Sequence, residues 1–132
     1  MRAMSVNNVG ALTLHSRVTC ADNSGAKEID IISVFGYKSR KKGNPKAGIG
    51  SLVNVVVKKG KPEMRGKIEK AVVIRTRQEF RRANGLRVKF EDNAVVLVDE
   101  EGLPKASEMK GCCAKEVGER FPKVLGLASV VV

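Results

Sequence analysis

The chain has 132 residues, of which 42% are hydrophobic and 4% aromatic, so one domain with a core of Val, Ile, Leu and Ala is expected. Its 25 Lys and Arg residues outnumber its 14 Asp and Glu residues, and the net charge of +11 points to an anionic partner. The apolar runs are too short for a membrane-spanning helix, which needs roughly 18 residues.

The N-terminal residues contain no continuous apolar segment, so no secretory signal is expected. Three cysteines, an odd number with two of them adjacent, do not make a disulfide framework. We therefore expect an intracellular protein with reduced thiols.

The first half of the sequence predicts strands separated by polar turns. A short strand over residues 18–21 is followed by DNSG, residues 22–25, which are strong turn formers. The next strand, residues 27–36, begins with alternating polar and apolar side chains. Residues 37–50 contain four Gly or Asn residues and one proline and predict a loop. Residues 51–59 are rich in β-branched side chains and predict the next strand.

The second half continues the pattern of strands and turns. A basic turn over residues 60–67 leads into a strand over residues 68–77. The dipeptide Asn84-Gly85 is a strong hairpin signal, and the side chains of residues 86–90 alternate cleanly after it. Residues 93–102 predict a further strand that ends in an acidic turn.

The last thirty residues differ from the rest. Ala114, Val117 and Phe121 are spaced i, i+3 and i+7, which predicts a short amphipathic helix that ends at Pro122. Residues 127–132 predict a last strand or a packed extension.

These elements together predict a mainly β fold in a single domain, residues 1–132. At least five short strands at close spacing favour a small closed five-stranded antiparallel β-barrel over about residues 17–100. A C-terminal extension of one or two short α-helices would follow over about residues 101–132.

The positive charge is concentrated in the middle of the chain. Residues 38–89 carry seventeen Lys and Arg side chains against three Glu, a net charge of +14, while the remaining residues sum to −3. The cations are interleaved with Val, Ile and Leu, so we predict a folded basic face rather than a disordered tail. From residue 75 to residue 87 every cation is Arg, which favours bidentate phosphate contacts.

No catalytic or metal-binding constellation is evident. His15 has no nucleophile to pair with, and the carboxylates of residues 91–92 and 99–101 lie at a strand start and in a solvated turn. Cys20 and the adjacent pair at residues 112–113 lack the spacing of a structural zinc site. We expect no cofactor and no metal, and we interpret the cysteines as packing residues.

The predicted partner is structured RNA. The basic residues lie outside any predicted helix, which disfavours both a major-groove DNA reader and a membrane-surface helix. Aromatic side chains are few, so contacts with the RNA backbone and its shape are expected rather than extensive base stacking.

Several motifs resemble one family of proteins. They are CADNSGA (residues 20–26), NPKAGIG (44–50), GKPEMRGK (60–67) and VKFEDNAVVLVDE (88–100). A longer signature spans residues 71–97: AVVI, nine residues, NG, four residues, F, two residues, N, two residues, VL. The chain resembles the universal L-fourteen family of large-subunit ribosomal proteins, in its archaeal or eukaryotic type, over nearly its whole length. Cys112-Cys113 departs from the family pattern, which has a proline-containing turn at that point.

The resemblance implies a five-stranded β-barrel with short C-terminal helices, placed in the cytoplasmic large ribosomal subunit and without enzymatic activity. It implies binding to large-subunit rRNA near the sarcin–ricin region and a bridge to small-subunit rRNA. It also implies that the C-terminal part meets neighbouring large-subunit ribosomal proteins and an anti-association factor.

Matching motif positions assigns candidate residues to these roles. The candidate RNA-binding residues are Arg40, Lys41, Lys42, Lys46, Lys59, Lys61, Arg65, Lys67, Arg75, Arg77, Arg81, Arg82 and Arg87. The candidate protein-facing residues are Glu108, Lys115, Glu116, Glu119 and Arg120, for which a solvated helix face is an equally good interpretation.

Two other classes of function fit the composition. A free-standing regulatory RNA-binding factor built on a small barrel would exchange on and off RNA without ribosomal neighbours. A small nuclease would need a metal or an acid–base pair, which the sequence does not supply.

Overall fold

The computed structural model describes residues 2–6 and 9–132. The strands in this part of the chain are β1 Arg17–Cys20, β2 Ala26–Val34, β3 Leu52–Gly60, β4 Ile68–Arg75, β5 Phe80–Arg81, β6 Arg87–Val88, β7 Ala94–Val98, β8 Cys112–Cys113 and β9 Val130–Val131. Five of them form a closed barrel in the order β1-β2-β3-β4-β7, and the pairs β5 with β6 and β8 with β9 lie outside it. The mainly β barrel predicted from the sequence is confirmed.

The barrel is closed by a parallel pair of strands. β1 pairs antiparallel with β2, and the pairs β2–β3, β3–β4 and β4–β7 are also antiparallel. β7 and β1 run parallel, with Thr19 opposite Ala94 and Cys20 opposite Val95. An odd number of strands cannot alternate in direction around a closed ring, so one neighbouring pair must be parallel. The expectation of a wholly antiparallel barrel is corrected at this one seam.

The apolar side chains form two cores on opposite sides of the barrel wall. The first fills the interior with residues such as Ile29, Val55 and Leu97. The second lies outside the wall, where Val72 and Val96 pack against residues 101–132, here called the C-terminal segment. β7 and residues 71–75 of β4 are therefore buried on both faces, which explains their continuous apolar runs, whereas β2 and β3 alternate between buried and more accessible positions.

The C-terminal segment forms the outer layer of the second core. Lys115–Glu119 is a 3-10 helix and Pro122–Gly126 is a single-turn α-helix, α1. The predicted amphipathic helix was wrong in its bounds, because Pro122 begins α1 instead of ending a helix. Proline suits a first helical position, where the missing N–H would have had no intrahelical partner. The predicted last strand is present as β9, which runs parallel to β8.

Asp22, in the motif CADNSGA, joins the turn after β1 to the neighbouring strand β7. Its carboxylate accepts hydrogen bonds from the Cys20 thiol, from the backbone N–H and hydroxyl of Ser24, and from the backbone N–H of Leu97 at 2.9 Å. Asp22 is only 4% exposed, so these donors satisfy a carboxylate that water hardly reaches.

We predict that Asp22→Ala lowers the free energy of unfolding by about 2–3 kcal/mol, because it leaves buried donors without an acceptor. Urea denaturation measures this change. Glu100→Ala is the matched control, since Glu100 is an exposed turn carboxylate, and it should change stability by less than about 0.5 kcal/mol. Equal effects of the two substitutions would contradict the role given to Asp22.

Candidate nucleic-acid interface

The strand directions bring two separate basic segments to one end of the barrel, here called the loop end. The connection from β2 to β3 (residues 35–51) and the connection from β4 to β7 (residues 76–93) both lie there. The backbone N–H of Gly50 donates to the carbonyl of Val73 at 2.8 Å, which holds the first connection against β4. The second connection contains the predicted hairpin, formed by β5 and β6 around Asn84-Gly85. The hairpin prediction is therefore confirmed.

Seven of the candidate RNA-binding residues have exposed side chains at the loop end. They are Arg40, Lys41, Lys42, Lys46, Arg77, Arg81 and Arg87. Within the described part of the chain, Arg87 is the one member of this set that forms an ion pair, with Glu79 at 2.8 Å. Lys38 and Lys89 are also exposed in the same two connections, and they extend this surface beyond the candidates chosen from the sequence.

Four candidates lie at the opposite end, here called the turn end. The turn between β3 and β4 is held there by the backbone N–H of Lys61, which donates to the carbonyl of Gly25 at 3.0 Å. Along β3, nine residues at about 3.3 Å each separate the two ends by roughly 30 Å. The exposed candidates at this end are Lys59, Lys61, Arg65 and Lys67.

The positive charge is therefore divided between the two ends of the barrel. The basic face predicted from the sequence is corrected to two separate basic surfaces. One acid partly neutralises the turn end: Glu28 pairs with Lys59 at 3.1 Å and with Arg17 at 3.0 Å. The hydrogen bond from Lys59, together with both positive charges, holds the pKa of Glu28 below its usual range. The loop end is the less compensated of the two surfaces.

Arg75 is an internal structural residue. Its guanidinium is bidentate to Asp92, at 2.9 and 3.2 Å, and its Nη1 donates to the carbonyl oxygens of Lys110 and Cys112 at 3.0 and 2.8 Å. The residue is 7% exposed. A Cβ at Gly111 would lie 2.5 Å from this Nη1, so glycine is needed for the close approach. Arg75 therefore joins β4 to the C-terminal segment, and its guanidinium is not available to bind RNA.

Arg82 joins the hairpin to the same C-terminal segment. Its Nε and Nη2 donate to the two carboxylate oxygens of Glu116, at 2.7 and 3.2 Å, and Nη2 also donates to the backbone oxygen of Val132. The side chains are 12% and 2% exposed, and the guanidinium lies 5.6 Å from the ring centre of Phe80. Because its guanidinium is bonded within the protein, Arg82 is not available to bind RNA.

The sequence is similar to ribosomal proteins over its whole length. Residues 11–132 match the ribosomal protein L14p/L23e family. The chain belongs to this family. It is 50% identical to the large ribosomal subunit protein uL14 of Methanoregula boonei, 48% identical to that of Methanocorpusculum labreanum and 48% identical to that of Halorubrum lacusprofundi. Each comparison covers all 132 residues and the full length of the relative, and the resemblance is to the archaeal type.

The contact between Arg75 and residue 112 does not depend on a cysteine side chain. Arg75 binds the carbonyl oxygen of Cys112, and every residue type supplies that oxygen. Cys113 is fully buried in the second core, and burial raises the pKa of its thiol to about 12. Burial and the hydrogen bond to Asp22 likewise raise the pKa of Cys20 to about 12, so both thiols are packing groups, as predicted.

The five protein-facing candidates of the C-terminal segment have different environments. Glu108 and Lys115 are exposed, whereas Glu116 is the buried partner of Arg82. Glu119 accepts hydrogen bonds from the hydroxyl and the backbone N–H of Ser5, and these bonds lower the pKa of Glu119. Arg120 donates to backbone oxygens, including that of Gly50 at 3.3 Å. Glu119 and Arg120 thus hold N-terminal and loop residues against the segment.

The remaining candidates for chemistry are scattered. The side chain of His15 is 86% exposed, and its Nδ1 lies 3.9 Å from a carboxylate oxygen of Asp30. Within residues 2–6 and 9–132, no three His, Cys, Asp or Glu side chains are grouped closely enough to hold a metal ion. No helix in the described part of the chain has the length and apolarity needed to cross a membrane.

We predict different outcomes for the neighbouring arginines of the hairpin. Arg82→Ala leaves the carboxylate of Glu116 buried without its partner and should lower the free energy of unfolding by about 3–5 kcal/mol. Arg81→Ala removes an exposed side chain and should change it by less than about 0.5 kcal/mol. The free energies of unfolding of both variants are measured by chemical denaturation and compared with that of the original chain.

A second variant separates the ion pair from general damage to the hairpin. Adding Glu116→Gln to Arg82→Ala removes the uncompensated charge and should recover part of the lost stability. A double variant less stable than Arg82→Ala alone would contradict the buried ion pair as the cause.

Proposed function

We propose that the chain is a structural constituent of the large ribosomal subunit that binds rRNA through its loop end. The observation that carries the proposal is that two basic connections meet at one end of the barrel. Among the described residues, only one of the seven exposed candidates there, Arg87, forms an ion pair. Uncompensated cations held on a folded scaffold repel one another, and RNA phosphates relieve that repulsion. As a ribosomal protein of the L14p/L23e family, the chain has a structural and not an enzymatic role.

The finer placement is also a proposal. Large-subunit rRNA would be the primary partner, and the loop end would contribute to a bridge to small-subunit rRNA at the subunit interface. The turn end, with Lys59, Lys61, Arg65 and Lys67, would make weaker contacts because it carries fewer cations than the loop end and Glu28 neutralises one of them, Lys59.

The C-terminal segment would face protein neighbours, including an anti-association factor. Two features support this assignment: the exposed side chains of Glu108 and Lys115, and the exposed apolar residues Val130 and Val131 of β9. Glu116, Glu119 and Arg120 would support the shape of that surface from within, through the internal bonds described above.

Sedimentation of cell lysate through a gradient in roughly half-molar salt tests the central claim. The chain should migrate with the large ribosomal subunit in nearly equal amount, because contacts buried between an assembled constituent and its neighbours are screened by salt much less than exposed charge pairs are. Release to the top of the gradient with the subunit intact would overturn the proposal and favour a free-standing RNA-binding factor.

The salt dependence of RNA binding tests the loop end. If its seven exposed candidates each engage one phosphate, the log–log slope of affinity against salt should be about −5 to −6 on an rRNA fragment. Replacing Arg40, Lys41 and Lys42 together with Gln should reduce the magnitude of that slope by about 2–3.

A triple replacement at the other end is the matched control. Changing Lys61, Arg65 and Lys67 to Gln removes the same charge, and it should reduce the slope by less than about 1. A larger effect from the turn-end variant would move the RNA surface to the opposite end of the barrel.

A further inference from the structure

Two aromatic side chains are left outside both hydrophobic cores. Phe80 is buried, and Phe90 and Phe121 pack against the second core. Phe35 and Tyr37 are instead 36% and 41% exposed, and they lie where β2 leads into the basic loop. A single exposed aromatic residue is common on protein surfaces. This pair is notable because it borders the surface with the least compensated positive charge.

Tyr37 lies against the part of the loop that carries the cations. Its hydroxyl oxygen is 2.6 Å from the position that a Cβ at Gly43 would take, so the ring reaches across the loop to Gly43. The backbone N–H of Gly43 donates to the hydroxyl of Ser39 at 2.9 Å, which closes this part of the loop. The closed segment contains Arg40, Lys41 and Lys42, so the ring and these cations belong to one local surface.

Phe35 differs from Tyr37 because it already has a cationic partner. The ammonium group of Lys70 lies 5.5 Å from the centre of its ring, at the distance of a cation–π contact. One face of Phe35 is therefore engaged within the protein. Tyr37 has an exposed ring in the loop and no such cation over it among the described residues.

We propose that Tyr37 is a stacking platform for an unpaired base of the RNA that the loop end binds. The inference rests on the function proposed above and adds the kind of nucleotide that the loop accepts. Bases inside an A-form duplex are not open to an aromatic side chain, whereas unpaired bases in loops and bulges are. The cations of the loop hold the phosphates while the ring takes the base, a combination typical of single-strand binding. Contact with the RNA is then not limited to backbone and shape.

The sequence itself supplies the probe for this proposal. The chain has one tyrosine and no tryptophan, so intrinsic emission at tyrosine wavelengths reports on Tyr37 alone. Titration with a single-stranded adenosine dodecamer at low salt should quench the emission strongly. Inorganic polyphosphate of similar charge should bind the cations with little quenching. Equal quenching by polyphosphate, or no quenching at saturating dodecamer, would overturn the proposal.

Three variants separate stacking from charge. Tyr37→Leu should weaken binding of a labelled dodecamer about tenfold, since one stacked base is lost. Tyr37→Phe keeps the aromatic face and should stay within about twofold of the original affinity. Phe35→Leu is the matched control and should leave the quenching of Tyr37 unchanged. Unchanged affinity of Tyr37→Leu would refute stacking.

Failure of the stacking proposal can be told from failure of the proposed function. If only stacking is wrong, the chain still sediments with the large subunit, its RNA affinity keeps the steep salt slope, and Tyr37→Leu binds normally. If the proposed function is wrong, the chain leaves the subunit in high salt whatever residue stands at position 37.

Discussion

The packing of the C-terminal segment on the outer face of β4 and β7 is the contact on which the rest of the structure depends. It buries a second core outside the barrel, with Val72 and Val96 on the wall and Val117 and Val124 on the segment. Without this cover, two strands that are apolar on both faces would expose one face to water. The same contact fixes the hairpin, because the hairpin is joined to the segment through a buried ion pair.

Arginine serves two purposes in one short stretch of this chain. Arg75 and Arg82 use their forked guanidinium groups to satisfy carboxylate and carbonyl oxygens inside the protein. The side chains of Arg77 and Arg81, in contrast, are exposed to solvent. The bonds of Arg82 join the hairpin to the C-terminal segment, and under the proposed function this attachment would reduce the entropy lost when the exposed cations bind RNA. Under the proposed function, the structural arginines would thus contribute to RNA recognition without contacting the RNA.

Local pattern predicted the strands, the Asn84-Gly85 hairpin and the mainly β barrel, because alternation and turn chemistry act over a few residues. The sequence pattern did not separate buried from exposed arginines, since the partners of Arg75 and Arg82 lie 17 to 50 residues away. The division of charge between two ends depends on strand direction, which composition does not encode. The parallel seam could have been deduced by counting strands, and the two-sided burial of β4 and β7 from their unbroken apolar runs.

The parallel pairing of β1 with β7 affects how the chain folds during its synthesis. Its partners are 75 residues apart, as with Cys20 and Val95, so the ring cannot close until β7 has left the translating ribosome. By then all the cations of residues 38–89 have been synthesised on an open chain. The nascent polypeptide is therefore a flexible polycation surrounded by cellular RNA, and non-specific capture competes with its folding.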